Sequence, residues 1–217
     1  KYYKDYIMEK RYIMSDSNGA YEMDEYMELL FKLYNPDYIE DNDMFQRAAE
    51  SMNFTDTWLF LALHFISSLR STDYERIYHP VLTDTPENTI KKIAEDTFED
   101  NDARLVLLSI IQRLSIMPLK PNKTEGRSSN IDYIKFDVPT SSEVLFGKLF
   151  ALAEAHRQIQ GLEETPIIRK ISTYKQISKY MGDDIGSLFL NADFRSRSAT
   201  KSYLQAIFMI ADNMPDE

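Results

Sequence analysis

Cysteine is absent from all 217 residues, and that gap removes several classes of protein. There can be no disulfide framework, no thiolate zinc finger, no iron–sulfur site and no cysteine nucleophile. A chain without thiols fits a reducing compartment, and a cytoplasmic location is expected. Glycine is scarce, at 6 residues, too few for loops shaped around nucleotides. The phosphate-cradling G-x-x-x-x-G-K, the G-x-G-x-x-G that follows a strand and the G-x-S-x-G nucleophile elbow are all missing. Long apolar runs are missing too. The best, Trp58–Ile66, is interrupted by His64 and followed by Ser67-Ser68, far short of the roughly 18–20 residues a bilayer crossing needs. Lys1–Met14 is rich in tyrosine and charge and has no apolar h-region, so no signal peptide is expected there. The termini, Lys1 and Met214-Pro215-Asp216-Glu217, are compatible with an excerpt of a longer protein.

What remains is a folded, acidic chain. At 43 % hydrophobic and 12 % aromatic, it has enough apolar surface to offset chain entropy. The net charge of −10 is not spread evenly. Residues 1–100 hold 10 Lys and Arg against 21 Asp and Glu, whereas residues 101–217 hold 15 against 14. Phosphate repulsion therefore argues against nucleic acid only for the first half.

The periodicity is helical almost throughout. Met23, Tyr26, Met27, Leu30, Leu33 and Tyr34 recur at three-and-four spacing until Asn35-Pro36 stops them. Met44, Phe45, Ala48, Ala49 and Met52 predict a shorter helix. Trp58–Leu69 is apolar on nearly every face and should be buried in the centre. Thr85-Pro86-Glu87 combines an N-cap hydroxyl, a proline at the first helical position and an acid at the positive dipole end. Leu105–Ile116 reads as a second all-round apolar helix, closed by Pro118. Thr165-Pro166 repeats the start device ahead of Ile167, Ile168, Ile171, Tyr174 and Met181, with Gly182 as the stop. A last helix runs from about Ser198.

The only alternating signal is Ile134, Phe136 and Val138. The prediction is therefore an all-α protein of about eight helices in two packed bundles, with at most a minor strand near 133–138. Residues 1–117 would form an acidic helical bundle, 118–139 a loop or linker, and 140–217 a helical bundle with a basic strip, the two packing as one domain or standing as separate ones.

Two identical tetrapeptides, Glu40-Asp41-Asn42-Asp43 and Glu99-Asp100-Asn101-Asp102, each precede a helix. Neither continues as a calcium loop, and they read as acidic N-caps. Of the three histidines, His64 and His156 lie on apolar helical stretches and read as buried, hydrogen-bonded side chains, and His79 sits in a turn beside Pro80. No pair has the i, i+4 spacing of a helical metal site. No catalytic residue, metal or cofactor is expected. The glycosylation triplets Asn53-Phe54-Thr55 and Asn122-Lys123-Thr124 carry no meaning without a secretory signal.

The stretch from Arg169 to Lys201 is different. It holds seven bases, Arg169, Lys170, Lys175, Lys179, Arg195, Arg197 and Lys201, against Asp183, Asp184 and Asp193. Lys175 and Lys179 are one helical turn apart and share a face. Phe194-Arg195-Ser196-Arg197-Ser198 delivers two guanidinium forks and two hydroxyls ahead of the last helix, the chemistry of a phosphate site. Tyr174, Tyr180 and Phe194 interleave and could stack on bases. The competing reading is a solvated face, or a docking surface for an acidic partner.

Glu143-Val144-Leu145-Phe146-Gly147-Lys148-Leu149-Phe150-Ala151-Leu152-Ala153-Glu154 resembles a segment near the C-terminus of the large subunit of type I-C CRISPR surveillance complexes (Cascade). Phe194-Arg195-Ser196-Arg197-Ser198-Ala199-Thr200 resembles the turn before that family's final helix, and Tyr203 onward resembles the helix. The likeness touches about a third of the chain, and the interval Gln160–Asp193 is longer than in the family pattern. It implies a non-enzymatic subunit of an antiviral assembly that helps hold guide RNA and displaced single-stranded DNA beside other protein subunits. The alternative is a purely protein-binding adaptor or phage-type structural subunit.

Overall fold

A computed structural model describes residues 21, 23–67, 69–121, 133–136, 138–171, 174–187 and 196–212. Among them the chain is helical and contains no β-strand. The helices are α1 (Met23–Tyr34), α2 (Pro36–Asp41), α3 (Met44–Glu50), α4 (Met52–Phe65), α5 (Ser71–Tyr74), α6 (Pro86–Ala94), α7 (Asp100–Ile116), α8 (Glu143–Gln160), α9 (Tyr174–Met181), α10 (Asp183–Gly186) and α11 (Ser196–Asp212). A 3₁₀ turn, Thr140–Ser142, leads into α8.

Helix α4 is the centre. Every side chain from Phe54 to Phe65 is buried, as its all-round apolar sequence requires, and α3, α8, α9, α11 and α1 pack on it. Its N-terminus is capped by the Ser51 hydroxyl, which accepts from the Phe54 amide. Its C-terminus is buried, so the last-turn carbonyls need donors that the helix itself cannot supply. Three tyrosines provide them. The Tyr34 hydroxyl donates to the Ala62 carbonyl at 2.5 Å, Tyr74 to Leu63 at 2.9 Å and Tyr26 to Phe65 at 2.6 Å. Burial pushes all three phenols above their ordinary range. The single tryptophan, Trp58, is fully buried and donates its indole N–H to the Leu33 carbonyl.

Helix α8 lies against α7, α6 and α4, and Phe146, Leu149, Phe150 and Leu152 join the same core as Trp58, Val106 and Ile110. Core residues from 26 to 199 thus form one continuous cluster. Gly147 allows this approach. A Cβ there would lie 2.1 Å from the Ala103 carbonyl oxygen, so only glycine lets α7 and α8 come this close. Gly161, at φ 66°, ends α8 in the left-handed conformation.

The strongest start signal appears as read, with the Thr85 hydroxyl accepting from the Asn88 amide and Pro86 in the first turn. Asn35-Pro36 ends α1 and also begins α2, because the Asn35 side chain caps Tyr38.

Three expectations need correcting. Thr165-Pro166 starts no helix: residues 165–171 are irregular and α9 begins at Tyr174. Ile167, Ile168 and Ile171 are all buried there, and the Pro166 carbonyl, which a helix would need for residue 170, instead accepts from Arg157 Nε at 3.1 Å. Helix α7 is not buried all round; Leu105 and Leu108 are exposed while Val106, Leu107 and Ile110 face the core. The two acidic tetrapeptides supply no side-chain cap; Asp100 and Asp102 instead sit in the first turn of α7, where they meet its dipole. Near 133–138 the described residues form no strand, in keeping with the expectation of at most a minor one. Ile134 donates its amide to the Leu119 carbonyl, and Ile134 and Phe136 are buried.

Candidate nucleic-acid interface

The segment that carries the basic strip is fastened to the core by charge. Asp56 and Arg157 are both fully buried, and Arg157 Nη1 lies 2.9 Å from Asp56 Oδ1. Arg157 Nη1 also donates to the Ala153 carbonyl, and its Nε holds Pro166. Arg169 approaches the other carboxylate oxygen, with Nε 3.6 Å from Asp56 Oδ2, and donates through Nη2 to Asn53 Oδ1 at 2.7 Å. Burial raises the Asp56 carboxyl above its ordinary range and the two guanidinium groups oppose that rise.

A second fastener stands beside it. His79 Nδ1 is 2.6 Å from Glu154 Oε2, and its Nε2 faces the Thr165 carbonyl at 2.9 Å. His79 thus bridges Glu154 and the Thr165 carbonyl through its two ring nitrogens. Burial would raise the Glu154 carboxyl, but its hydrogen bonds to His79 and Gln158 prevail and hold it below the ordinary range. Irregular residues 162–171 are therefore pinned to α4 and α8 at Thr165, Pro166 and Arg169.

The seven predicted bases do not form one uniform strip. Arg169 is turned toward Asp56 and Asn53 and serves the core. Lys170, Lys175 and Lys179 are exposed, and none makes an ion pair among the described residues. Lys175 and Lys179 share one face of α9. Lys201 is half-buried. Arg195 and the Arg197 side chain lie outside the described residues, as do the side chains of Tyr174 and Phe194. Ser198 falls within α11 and is buried at 9 % exposure, so its hydroxyl is not presented to a ligand. Tyr180 does not offer a free ring either: the Arg169 guanidinium lies 5.9 Å and the Lys179 ammonium 5.5 Å from its centroid.

Both α-helical histidines are buried as read. His64 Nδ1 is 2.7 Å from the Phe60 carbonyl, and burial pushes its pKa down to about 4. His156 Nε2 faces the Ala48 carbonyl at 2.9 Å, and its pKa is lowered, chiefly by burial. Among the described residues no group of three or more His, Asp or Glu is arranged to hold a metal ion, and no helix is long and apolar enough to cross a membrane. The Asn53 triplet is structurally committed, since Asn53 accepts from Arg169 and the buried Thr55 hydroxyl donates to the Ala48 carbonyl.

Three exposed ammonium groups can do one thing well. They attract polyanions at long range without directional demands. No family model, no curated protein and no solved structure matches the chain.

Proposed function

We propose that this chain is a non-enzymatic helical module of a nucleoprotein assembly, which meets the phosphate backbone of RNA or single-stranded DNA through its basic strip. Lys170, Lys175 and Lys179 supply the exposed charge, with Arg195, Arg197 and Lys201 flanking them. The carrying observation is that these three lysines are exposed and carry no carboxylate partner among the described residues, on a chain whose net charge is −10. Lys32, Lys92, Arg104, Lys148 and Arg157 are each matched to an acid. Lys91, Lys120 and Lys135 are also exposed without an ion pair among the described residues, but they are scattered along the chain, whereas Lys170, Lys175 and Lys179 lie within ten residues and two of them share a face of α9. The fastening of residues 162–171 through Arg157 and Arg169 gives the strip a fixed base, which spares part of the ordering cost on binding. The resemblance of the α8 segment to the large subunit of type I-C surveillance complexes points the same way.

The test is binding of fluorescent 20-mer RNA and single-stranded DNA at low salt. Measurable affinity is expected for the wild-type chain. It should fall at least tenfold when Lys170, Lys175 and Lys179 are changed together to Ala, and further when Arg195→Ala and Arg197→Ala are added. Absence of binding at low salt overturns the proposal, as does unchanged affinity in the fivefold variant. Affinity for an acidic peptide with none for nucleic acid would select the protein-docking alternative instead.

A further inference from the structure

Helices α2, α3, α6 and the start of α8 enclose an open groove of about 470 Å³, within the size range of ligand-binding clefts. Its floor is apolar, with Ile39, Met44, Ile93, Val144 and Leu145 among the lining residues. Its rim is acidic. Glu40, Asp43 and Asp96 line it, and the single lining cation, Lys148, is already held by Asp96 at 3.0 Å and lies 5.1 Å over the Phe45 ring. Lys148 is only 8 % exposed, so it offers little charge to a ligand. Glu40 and Asp43 are exposed and have no cation partner among the described ion pairs. Asp43 and Asp96 are also the only non-glycine residues with positive φ among the described residues, at 48° and 50°. Glycine would sit at both positions more cheaply. Asp96 is accounted for by its pair with Lys148, whereas Asp43, with no such partner among the described residues, retains a rim carboxylate at a cost in stability.

We infer that this groove docks a protein segment bearing a short apolar anchor flanked by lysine or arginine. The occupant follows from complementarity: the floor removes aliphatic side chains from water, and the two rim carboxylates without a cation, Glu40 and Asp43, prefer cations and repel phosphate. This surface is separate from the basic strip. It gives the chain a protein-binding face and a polyanion-binding face of opposite sign.

The test uses a fluorescein-labelled 16-residue amphipathic peptide with leucines at i, i+4 and i+7 flanked by Lys and Arg, and a twin in which every Lys and Arg is Glu. Anisotropy with the full chain should show the basic peptide binding at least tenfold tighter than its twin. Leu145→Glu should cost at least tenfold, although it adds negative charge; a purely electrostatic attraction would tighten instead. Asp43→Gly should weaken binding about threefold at low salt while leaving the melting temperature equal or higher, so that loss of fold does not explain the loss of binding. Equal affinity for both peptides, no binding of the basic peptide, or tighter binding to Leu145→Glu would overturn the inference. So would self-association by sedimentation that is abolished by Leu145→Glu, which would assign the groove to a second copy.

Discussion

The Asp56–Arg157 pair offers a test of how the basic strip is held. Asp56→Ala would leave a fully buried guanidinium with its carbonyl contacts and no counter-charge. Breaking a buried pair in this way costs about 3–5 kcal/mol, against a total stability of order 5–15 kcal/mol for a domain. For a chain of this length, each kcal/mol shifts the melting temperature by about 2–4 °C, so a drop of roughly 6–20 °C is expected. Replacing both partners, Asp56→Leu with Arg157→Met, removes the stranded charge. It still leaves the Pro166 carbonyl without its donor, a cost of about 1–3 kcal/mol. The double variant should therefore be more stable than Asp56→Ala, with a coupling energy of about 2 kcal/mol. Urea titration followed by Trp58 fluorescence reads this directly, because Trp58 is the only tryptophan and is fully buried. If Asp56→Ala costs less than about 1 kcal/mol, or the double variant is worse than either single change, the pair does not fasten the strip and the reasoning fails.

Other consequences are as concrete. Tyr26→Phe, Tyr34→Phe and Tyr74→Phe each strand a buried carbonyl at the end of α4 and should each cost about 1–3 kcal/mol in urea denaturation; near-neutral values at all three would contradict the capping account. Gly147→Ala must push α7 from α8 and should destabilise by about 1–3 kcal/mol despite alanine's better helix propensity; a stabilised variant would show that the helices do not approach this closely. His64, with its pKa pushed down to about 4 in the fold and an ordinary value near 6.5 when unfolded, takes up its proton more readily in the unfolded chain. Its contribution is complete above about pH 6.5 and is lost as pH falls to about 4, some 3 kcal/mol in all. Asp56, with its carboxyl raised, contributes in the opposite sense as pH rises through its own range, so the His64 part is isolated by comparison with His64→Leu. An acid limb of the same height in that variant would contradict the assignment.

What the sequence could and could not reveal follows from the range of the interactions. The burial of α4 was legible because every position from Trp58 to Phe65 except His64 is apolar, and the start of α6 because Thr85-Pro86 acts on amides one turn away. Thr165-Pro166 has the same local form and was misleading, because Arg157 captures the Pro166 carbonyl from another element. The core ion pair has no local signature for a similar reason. Asp56 lies just before the apolar run and its partner is 101 residues distant, so nothing local marks it. Glu154 has one partner at helical spacing, Gln158, whereas its other partner, His79, lies 75 residues away. Arg169 counts as one more surface base until the buried carboxylate that claims it is in view. Tyrosine abundance, 14 residues, was visible, but its use on the end of α4 depends on where α1 and α5 dock. The acidic first half proved informative in a way composition alone could not give, since part of that charge rims a groove.

The salt dependence of nucleic-acid binding tests the central claim most directly. Three phosphate-contacting lysines should give log K against log[salt] a slope of about −2 on a single strand from these groups alone, with Arg195 and Arg197 making it steeper. Changing Lys170, Lys175 and Lys179 together to Ala should make the slope shallower by about 2. A slope that stays the same in the triple variant would mean that phosphates are met elsewhere, and no measurable binding at low salt would mean that they are not met at all.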